Sequence, residues 1–468
     1  MTDGKIRDYF SGRGEEFVRD LTELVAVDSA GGDAAPGAPY GPGPRKALDA
    51  GAALARRFGF EPEIFGDRVC IAEYGPGKAR LGVLAHLDVV PAGGAWTETE
   101  PFKCALKNGV LYGRGVADDK GPALAALYAL RAVKELGFPL SHKVQLILGS
   151  NEERGSGDIA WYMERRAMPP MVFSPDADYP VVNTEKGRME LAVTGPGGGA
   201  PSGARIESLA GGQVVNAVPQ SARAVLSGIG ADAVRAAAGA CAEKTGASFR
   251  VLPAEDGAEL VCTGRASHGA QPEKGVNAVC ALLECVLSLP LAECAGVSAL
   301  RGVRDAIPFG DWAGRAFGAA CSDPESGPLT VNLGVLSYCA EKGLSAGIDL
   351  RTPVGADGRD IFAALVRKLG ASGAAASIRT IQPPHHTPAD SELVRTLLGV
   401  YEDYTGRREK PIAMGGLTYV HEIEGGVAFG CEFPGRTPRM HEPDENVRLD
   451  DLLLSAEMFT QAIARICG

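Results

Sequence analysis

The chain has 468 residues, 45% of them hydrophobic and 22% charged, with a formal net charge of −11. That length exceeds one ordinary core and predicts at least two domains of a globular enzyme. The acidic balance excludes nucleic acid and anionic membrane surfaces as partners, and no run approaches the roughly eighteen apolar residues of a membrane span.

The opening stretch, MTDGKIRDYFSGRGEEF, mixes charges and has no apolar h-region, so no signal peptide is expected. The periodicity predicts a helix over residues 14–27, then a Gly/Pro-rich loop, GGDAAPGAPYGPGP. A second helix, RKALDAGAALARRFG, closes on Gly59. Short β-type runs follow: RVCIAEYG, RLGVLAHLDVV, KVQLILGSNEE and PPMVFSPDAD, with an Ala/Leu-rich helix, PALAALYALRAVKELG, between the second and third. Strand, helix, strand at this spacing predicts an α/β layer with a mostly parallel sheet. After Lys186 the texture becomes Ala/Gly-rich with alternating runs such as GRMELAVTG, ELVCTGRASHG and GLSAGIDLRTP. This predicts an inserted α+β domain over 187–384, between catalytic segments 1–186 and 385–468, long enough to hold two related subdomains. DDLLLSAEMFTQAIARICG closes the chain as an amphipathic helix packed on the first domain. The 11 cysteines are odd in number, irregularly spaced and form no CxxC, which predicts reduced thiols and a cytoplasmic location.

Metal-type ligands stand just after the apolar runs, where open α/β sheets place their sites. They are His86 and Asp88 in AHLDVV, Asp118 and Asp119 in GVADDKG, Glu152 and Glu153 in SNEERG, Asp176 in SPDAD, and His441 in RMHEPDEN. Imidazoles with carboxylates suit Zn²⁺, Mn²⁺ or Co²⁺, and the surplus over one ion's needs points to a two-metal hydrolytic centre. His86 and Asp88 face one side of a strand, so Asp88 is placed to orient the His86 ring. The GVADDKGP turn reads equally as a helix cap or as a carboxylate, Asp118, bridging two ions. Adjacent Glu152 and Glu153 read as two solvated loop acids or as a pair that divides labour, one binding metal and one moving protons. Of the other histidines, His142 reads as a surface residue, His385 and His386 as a hinge, and His421 as surface or pocket.

Nine blocks taken together carry a resemblance: YGPGPRKALD, AHLDVVPAG, GRGVADDKGP, NEERGSGD, PDADYPVVNTEKG, GRASHGAQPEKGVNA, GGLTY, VAFGCEFPG and MHEPDENV. In this order the chain resembles the M20 metallopeptidase family, and within it the PepV-like dipeptidase branch. The resemblance implies a zinc-peptidase catalytic domain with an inserted α+β lid. It implies two Zn²⁺ ions (or Mn²⁺ or Co²⁺), one held by His86, Asp118 and Asp176, the other by Asp118, Glu153 and His441. A cis peptide joins Asp118 to Asp119, Asp88 orients His86, and Glu152 is the base for a water bridging the metals. Asn216, His268 and Arg351 from the insert hold the substrate's carbonyl oxygen and terminal carboxylate, with Gly415 and Gly416 offering N–H groups to that carboxylate. The implied activity is hydrolysis of dipeptides or very short peptides by a monomer. The alternative with the same machinery is an N-acyl-amino-acid amidohydrolase. One departure concerns substrate selection: after GGLTY the branch often continues with a small residue and an arginine, where this chain has Val420 and His421.

Overall fold

The computed structural model describes residues 2–198 and 202–468, and these divide into two compact units. The first comprises 1–184, 386–412 and 417–468; the second comprises 185–385 and the short segment 413–416. The chain thus crosses between units at His385/His386, and a four-residue piece holding Gly415 and Gly416 belongs with the second unit.

In the first unit the sheet runs in the order Glu63–Phe65, Val69–Tyr74, Lys143–Gly149, Ala79–His86, Met171–Ser174, Val427–Ala428, Val182–Glu185. Its centre is parallel: Ala79–His86 pairs in parallel with both Lys143–Gly149 and Met171–Ser174, and Val427–Ala428 extends the same direction. Both flanks are antiparallel, so the sheet is mixed around a parallel core. For the outermost pair the cause is local: Val69–Tyr74 follows a three-residue turn after Glu63–Phe65, too short for the crossover a parallel pair needs. The central strands are buried on both faces, as their unbroken apolar runs require. The helix Lys120–Glu135 is buried almost all round, with Leu124, Leu127 and Leu130 in a core shared with Phe459 and Ile463 of the closing helix Leu449–Cys467.

The second unit is an eight-stranded sheet with helices Ala231–Thr245, Ala278–Leu287, Ala295–Ala306 and Gly358–Leu369. Every strand pair is antiparallel. The order is Ser248–Ala254, Gly257–Thr263, Ser221–Ser227, Arg205–Gly211, Thr330–Cys339, Gly343–Thr352, Gly187–Gly195, Ala375–Gln382. It reads alike outward from its middle. Each half has two hairpin strands, a helix and an outermost strand, with a fourth strand between. Among the described residues, no helix is long and apolar enough to cross a membrane, and every cysteine is a free thiol.

One buried ion pair fixes the loops that surround the sheet's carboxyl end. Arg114 and Glu445 are both essentially inaccessible, and Arg114 Nη1 donates to Glu445 Oε2 at 2.6 Å. The other oxygen of Glu445 accepts the backbone N–H groups of Gly115, Ala117 and Asp118 at 3.0, 3.0 and 3.2 Å. A segment near the C-terminus therefore holds the turn before the helix Lys120–Glu135. At Gly121 a Cβ would overlap the Val116 carbonyl, so this turn closes only on glycine.

Removing one partner of a satisfied buried pair leaves the other charged and stranded. Glu445→Ala is expected to cost about 3–5 kcal/mol of stability, read as a lower urea midpoint. The neighbouring Trp96, whose ring lies under the Arg114 guanidinium, provides a fluorescence report. An unchanged midpoint contradicts the clamp.

Candidate metal centre

His86 ends the parallel strand Ala79–His86 and is fully buried. Its Nδ1 lies 2.9 Å from the Asp88 carbonyl oxygen and 3.5 Å from Asp88 Oδ1. The main-chain acceptor makes Nδ1 the protonated nitrogen and leaves the Nε2 lone pair for a ligand. That Nε2 is buried without a hydrogen-bond partner, 3.0 Å from Asp118 Oδ1 and 3.5 Å from Asp176 Oδ2.

Asp88 does more for the acidic loop than for the ring. Its carboxylate accepts the backbone N–H groups of Glu152 and Glu153 at 3.1 and 3.2 Å. Its Oδ1 also faces the His86 ring, so one side chain serves both the ring and the acidic loop. The closest contact to the ring is the Asp88 carbonyl, and the carboxylate sets where Glu152 and Glu153 begin.

Asp118 occupies the middle. While Oδ1 faces His86, Oδ2 lies 2.9 Å from His441 Nε2, which is itself 3.3 Å from Glu153 Oε2. Two triads result, His86–Asp118–Asp176 and Asp118–Glu153–His441, each with its candidate ligand atoms within 4.8 Å of one another. They share Asp118 alone. The Asp118–Asp119 peptide bond is cis, as the resemblance implies. Asp119 turns its carboxylate back to accept the His86 N–H at 2.9 Å. His441 adopts a left-handed backbone with φ 63°, as do Arg439 and Asp444 at 56° and 60°. Three such residues in one short loop are held by outside contacts. Asp444 accepts the N–H groups of Thr97 and Glu98 at 2.8 and 2.9 Å and the Thr97 hydroxyl at 2.7 Å.

The electrostatics call for positive charge. Burial alone would lower the His86 pKa, but the carboxylates of Asp118, Asp176 and Asp88 carry it well above the ordinary value. Asp118 and Glu153 push His441 up to about 11. Burial would raise Asp118, yet His441 and His86 hold it below the usual carboxylate range. Burial and then the Asp118 charge raise Asp176 and bring Glu153 up to about 7. Burial also lifts Glu152 and Asp119 well above normal, with Asp176 adding to both. The buried, hydrogen-bond-deficient imidazole nitrogen and the mutually repelling acids are what a pair of divalent cations satisfies. The donor set, two imidazoles and no thiolate, fits Zn²⁺, Mn²⁺ or Co²⁺.

Reasoning from sequence missed the supports. Besides Arg114 and Glu445, Asp158 accepts the N–H groups of Ser150 and Asn151 at 2.6 and 3.0 Å and the Tyr419 hydroxyl at 2.6 Å. Burial, with the Asp88 charge, pushes Asp158 up to about 6. Tyr419 packs edge-on to the His86 ring with centroids 6.0 Å apart. A Cβ at Gly149 would overlap the Tyr419 hydroxyl. Arg114, Glu445, Asp158 and Tyr419 all lie inside the nine blocks, but nothing in their spacing sets them apart from capping or surface residues. Beside Glu153, Gly31, Gly32, Asp33, Val89, Val90, Pro91 and Arg154 line a cavity of about 420 Å³.

Asn216, His268, Arg351, Gly415 and Gly416 all belong to the second unit. Gly269 N–H donates to the Asn216 carbonyl at 2.7 Å, and Ala217 pairs with His268, so Asn216 and His268 sit on neighbouring loops. The Asn332 side chain brackets Asn216 by donating to the carbonyls of Val215 and Ala217 at 3.0 and 2.9 Å. Nδ1 of His268 accepts the Ala270 N–H at 3.1 Å, which puts the ring proton on Nε2. Arg351 donates from Nη1 to the Gly415 carbonyl at 2.8 Å, tying the Gly415–Gly416 segment to its strand.

Residues 82–465 match the family model described as peptidase family M20/M25/M40. A Bacillus subtilis protein named "Putative dipeptidase YtjP" is 34% identical over 96% of each chain. A "Beta-Ala-Xaa dipeptidase" from Lactobacillus delbrueckii subsp. lactis is 33% identical, over 96% of this chain and 95% of its own. The crystal structure of human carnosine dipeptidase 1 superposes with a TM-score of 0.62 at 15% identity, over 100% of this chain and 99% of that one, which shows a shared fold. Because that family model spans most of the chain and both curated relatives align end to end, the chain belongs to peptidase family M20/M25/M40.

Proposed function

We propose that this chain is a two-metal dipeptidase that hydrolyses dipeptides or very short peptides with a free C-terminal carboxylate. The observation that carries the reading is the sharing of Asp118 between the two ligand triads. The names of both curated relatives support the same activity. His86, Asp118 and Asp176 would hold one ion, and Asp118, Glu153 and His441 the other. When bound, paired divalent cations polarise a carbonyl and acidify water enough to ionise near neutral pH.

The chain's own groups supply the rest. Glu152 takes a proton from the attacking water and returns it to the leaving amine. Burial and the neighbouring acids favour its protonated form, so its carboxylate is a willing proton acceptor. His268, with its proton on Nε2, donates to the developing oxyanion, and Asn216 orients the carbonyl. Arg351 grips the terminal carboxylate, and a grip one residue beyond the scissile bond restricts cleavage to chain ends. The cavity beside Glu153 gives the N-terminal residue room against the apolar wall of Val89, Val90 and Pro91. Small peptides are the only partners this reading needs. The donor set suits two zinc ions, with manganese or cobalt able to take their place.

Glu152→Gln keeps shape and removes the base, so turnover of a dipeptide is expected to fall by roughly 10²–10⁴-fold with KM little changed. Turnover within about threefold of the parent would remove Glu152 from the proton path.

The deacylase alternative is separated by substrate. Unblocked dipeptides are expected to be cleaved with much higher kcat/KM than their N-acetylated counterparts. A preference for the acetylated series would assign the site to acyl-amino-acid hydrolysis instead.

A further inference from the structure

Arg351 does not hold its own orientation. Asp349, fully buried two residues earlier on the strand Gly343–Thr352, accepts from Arg351 Nε at Oδ2, 3.0 Å away. Residues two apart on a strand share a face. Directly across the ladder, Arg188 pairs with Arg351 and Glu190 with Asp349. Two guanidinium groups therefore stand opposite each other on one sheet face, a destabilising arrangement unless an anion separates them. The Asp349 carboxylate is that anion. While Oδ2 holds Arg351, Oδ1 is buried without a hydrogen bond and lies 3.6 Å from Arg188 Nε.

The consequence for Arg351 is geometric. A guanidinium is planar, so two fixed N–H groups fix all five. Nε is fixed by Asp349 and Nη1 by the Gly415 carbonyl, and among the described residues Nη2 makes no hydrogen bond. We propose that Asp349 is a positioning residue for substrate recognition. Through Nε it sets the plane of Arg351, shields it from Arg188, and leaves the Nη2 edge turned to the substrate's terminal carboxylate. This rests on the reading of Arg351 as the carboxylate grip.

The test compares dipeptides carrying a free C-terminus with the same dipeptides amidated, using the full-length metal-loaded enzyme. Asp349→Asn keeps the size and removes the charge. It is expected to raise KM for free dipeptides by roughly tenfold or more with kcat within about threefold, and to narrow their advantage over amides by a similar factor. Arg188→Gln alone should preserve that advantage, and adding it to Asp349→Asn should recover part of the lost KM, because the repulsion is then gone. The same rise for free and amidated substrates, or a lower melting temperature with unaltered KM, would make Asp349 a purely structural residue and overturn the proposal. So would loss of the advantage in Arg188→Gln alone, which moves the role to Arg188. If Asp349→Asn does not fold, the double variant decides: a narrowed advantage supports the proposal and an unchanged one overturns it. Arg351→Ala tests the underlying reading separately. If it leaves the preference for free over amidated substrates intact, the carboxylate grip itself is wrong.

Discussion

Several carboxylates are held against one another at the carboxyl end of one sheet, and the first unit is arranged around that cost. Asp118 touches both candidate ligand triads, with one oxygen toward His86 and the other toward His441. Glu153, Asp176, Glu152 and Asp119 crowd round it, and burial drives each toward its protonated form. Such a cluster persists only if its backbone is fixed from outside and its charge is met by cations. The fixing is done by groups that are not ligands. Glu445 accepts three amides of one turn, those of Gly115, Ala117 and Asp118, while paired to Arg114, Asp88 holds the amides of Glu152 and Glu153, and Asp158 joins Tyr419 to the amides of Ser150 and Asn151. Each is a buried carboxylate satisfied mainly by backbone N–H groups. Each sits where a strand end must be turned toward the others.

The second unit solves a related problem with both signs of charge. Its sheet carries Arg188, Glu190, Asp349 and Arg351 on one face in two facing rows. Asn332, opposite Asp349 in the next strand, extends that face to the carbonyls on either side of Asn216. Asn216, with His268 on the neighbouring loop, is thus bracketed by Asn332, which stands across the ladder from Asp349, the carboxylate that holds Arg351. The short segment 413–416 joins this face through Arg351 and Gly415.

Much of this was legible in the chain itself. The unbroken apolar runs ending in His86 and before Asn151 announce central strands, and the acids that follow them announce a site at the sheet's carboxyl end. Adjacent acids at a strand end, as in Glu152–Glu153, read by themselves equally as solvated loop residues, and it is the whole set of strand-end ligands that signals function. The antiparallel flanks were not legible as such, because a strand's direction depends on its partner and not on its own pattern. Nor was the work of Asp88. Spacing places its side chain on the His86 face, but spacing cannot reveal that two amides compete for the same carboxylate. Arg114, Glu445, Asp158 and Asp349 escaped for the same reason. A buried charge looks like a surface charge until its partner, often hundreds of residues away, is known.

The central claim is that Asp118 is shared by two cations, and metal content tests it most directly. Elemental analysis by mass spectrometry should find two divalent ions per wild-type chain. Asp176→Asn and Glu153→Gln, which each touch one triad, should each retain about one, whereas Asp118→Ala should retain neither while its circular dichroism shows a folded chain. Two ions still bound to folded Asp118→Ala, or a single ion in the wild type that the Asp176 and Glu153 substitutions deplete alike, would contradict the shared site.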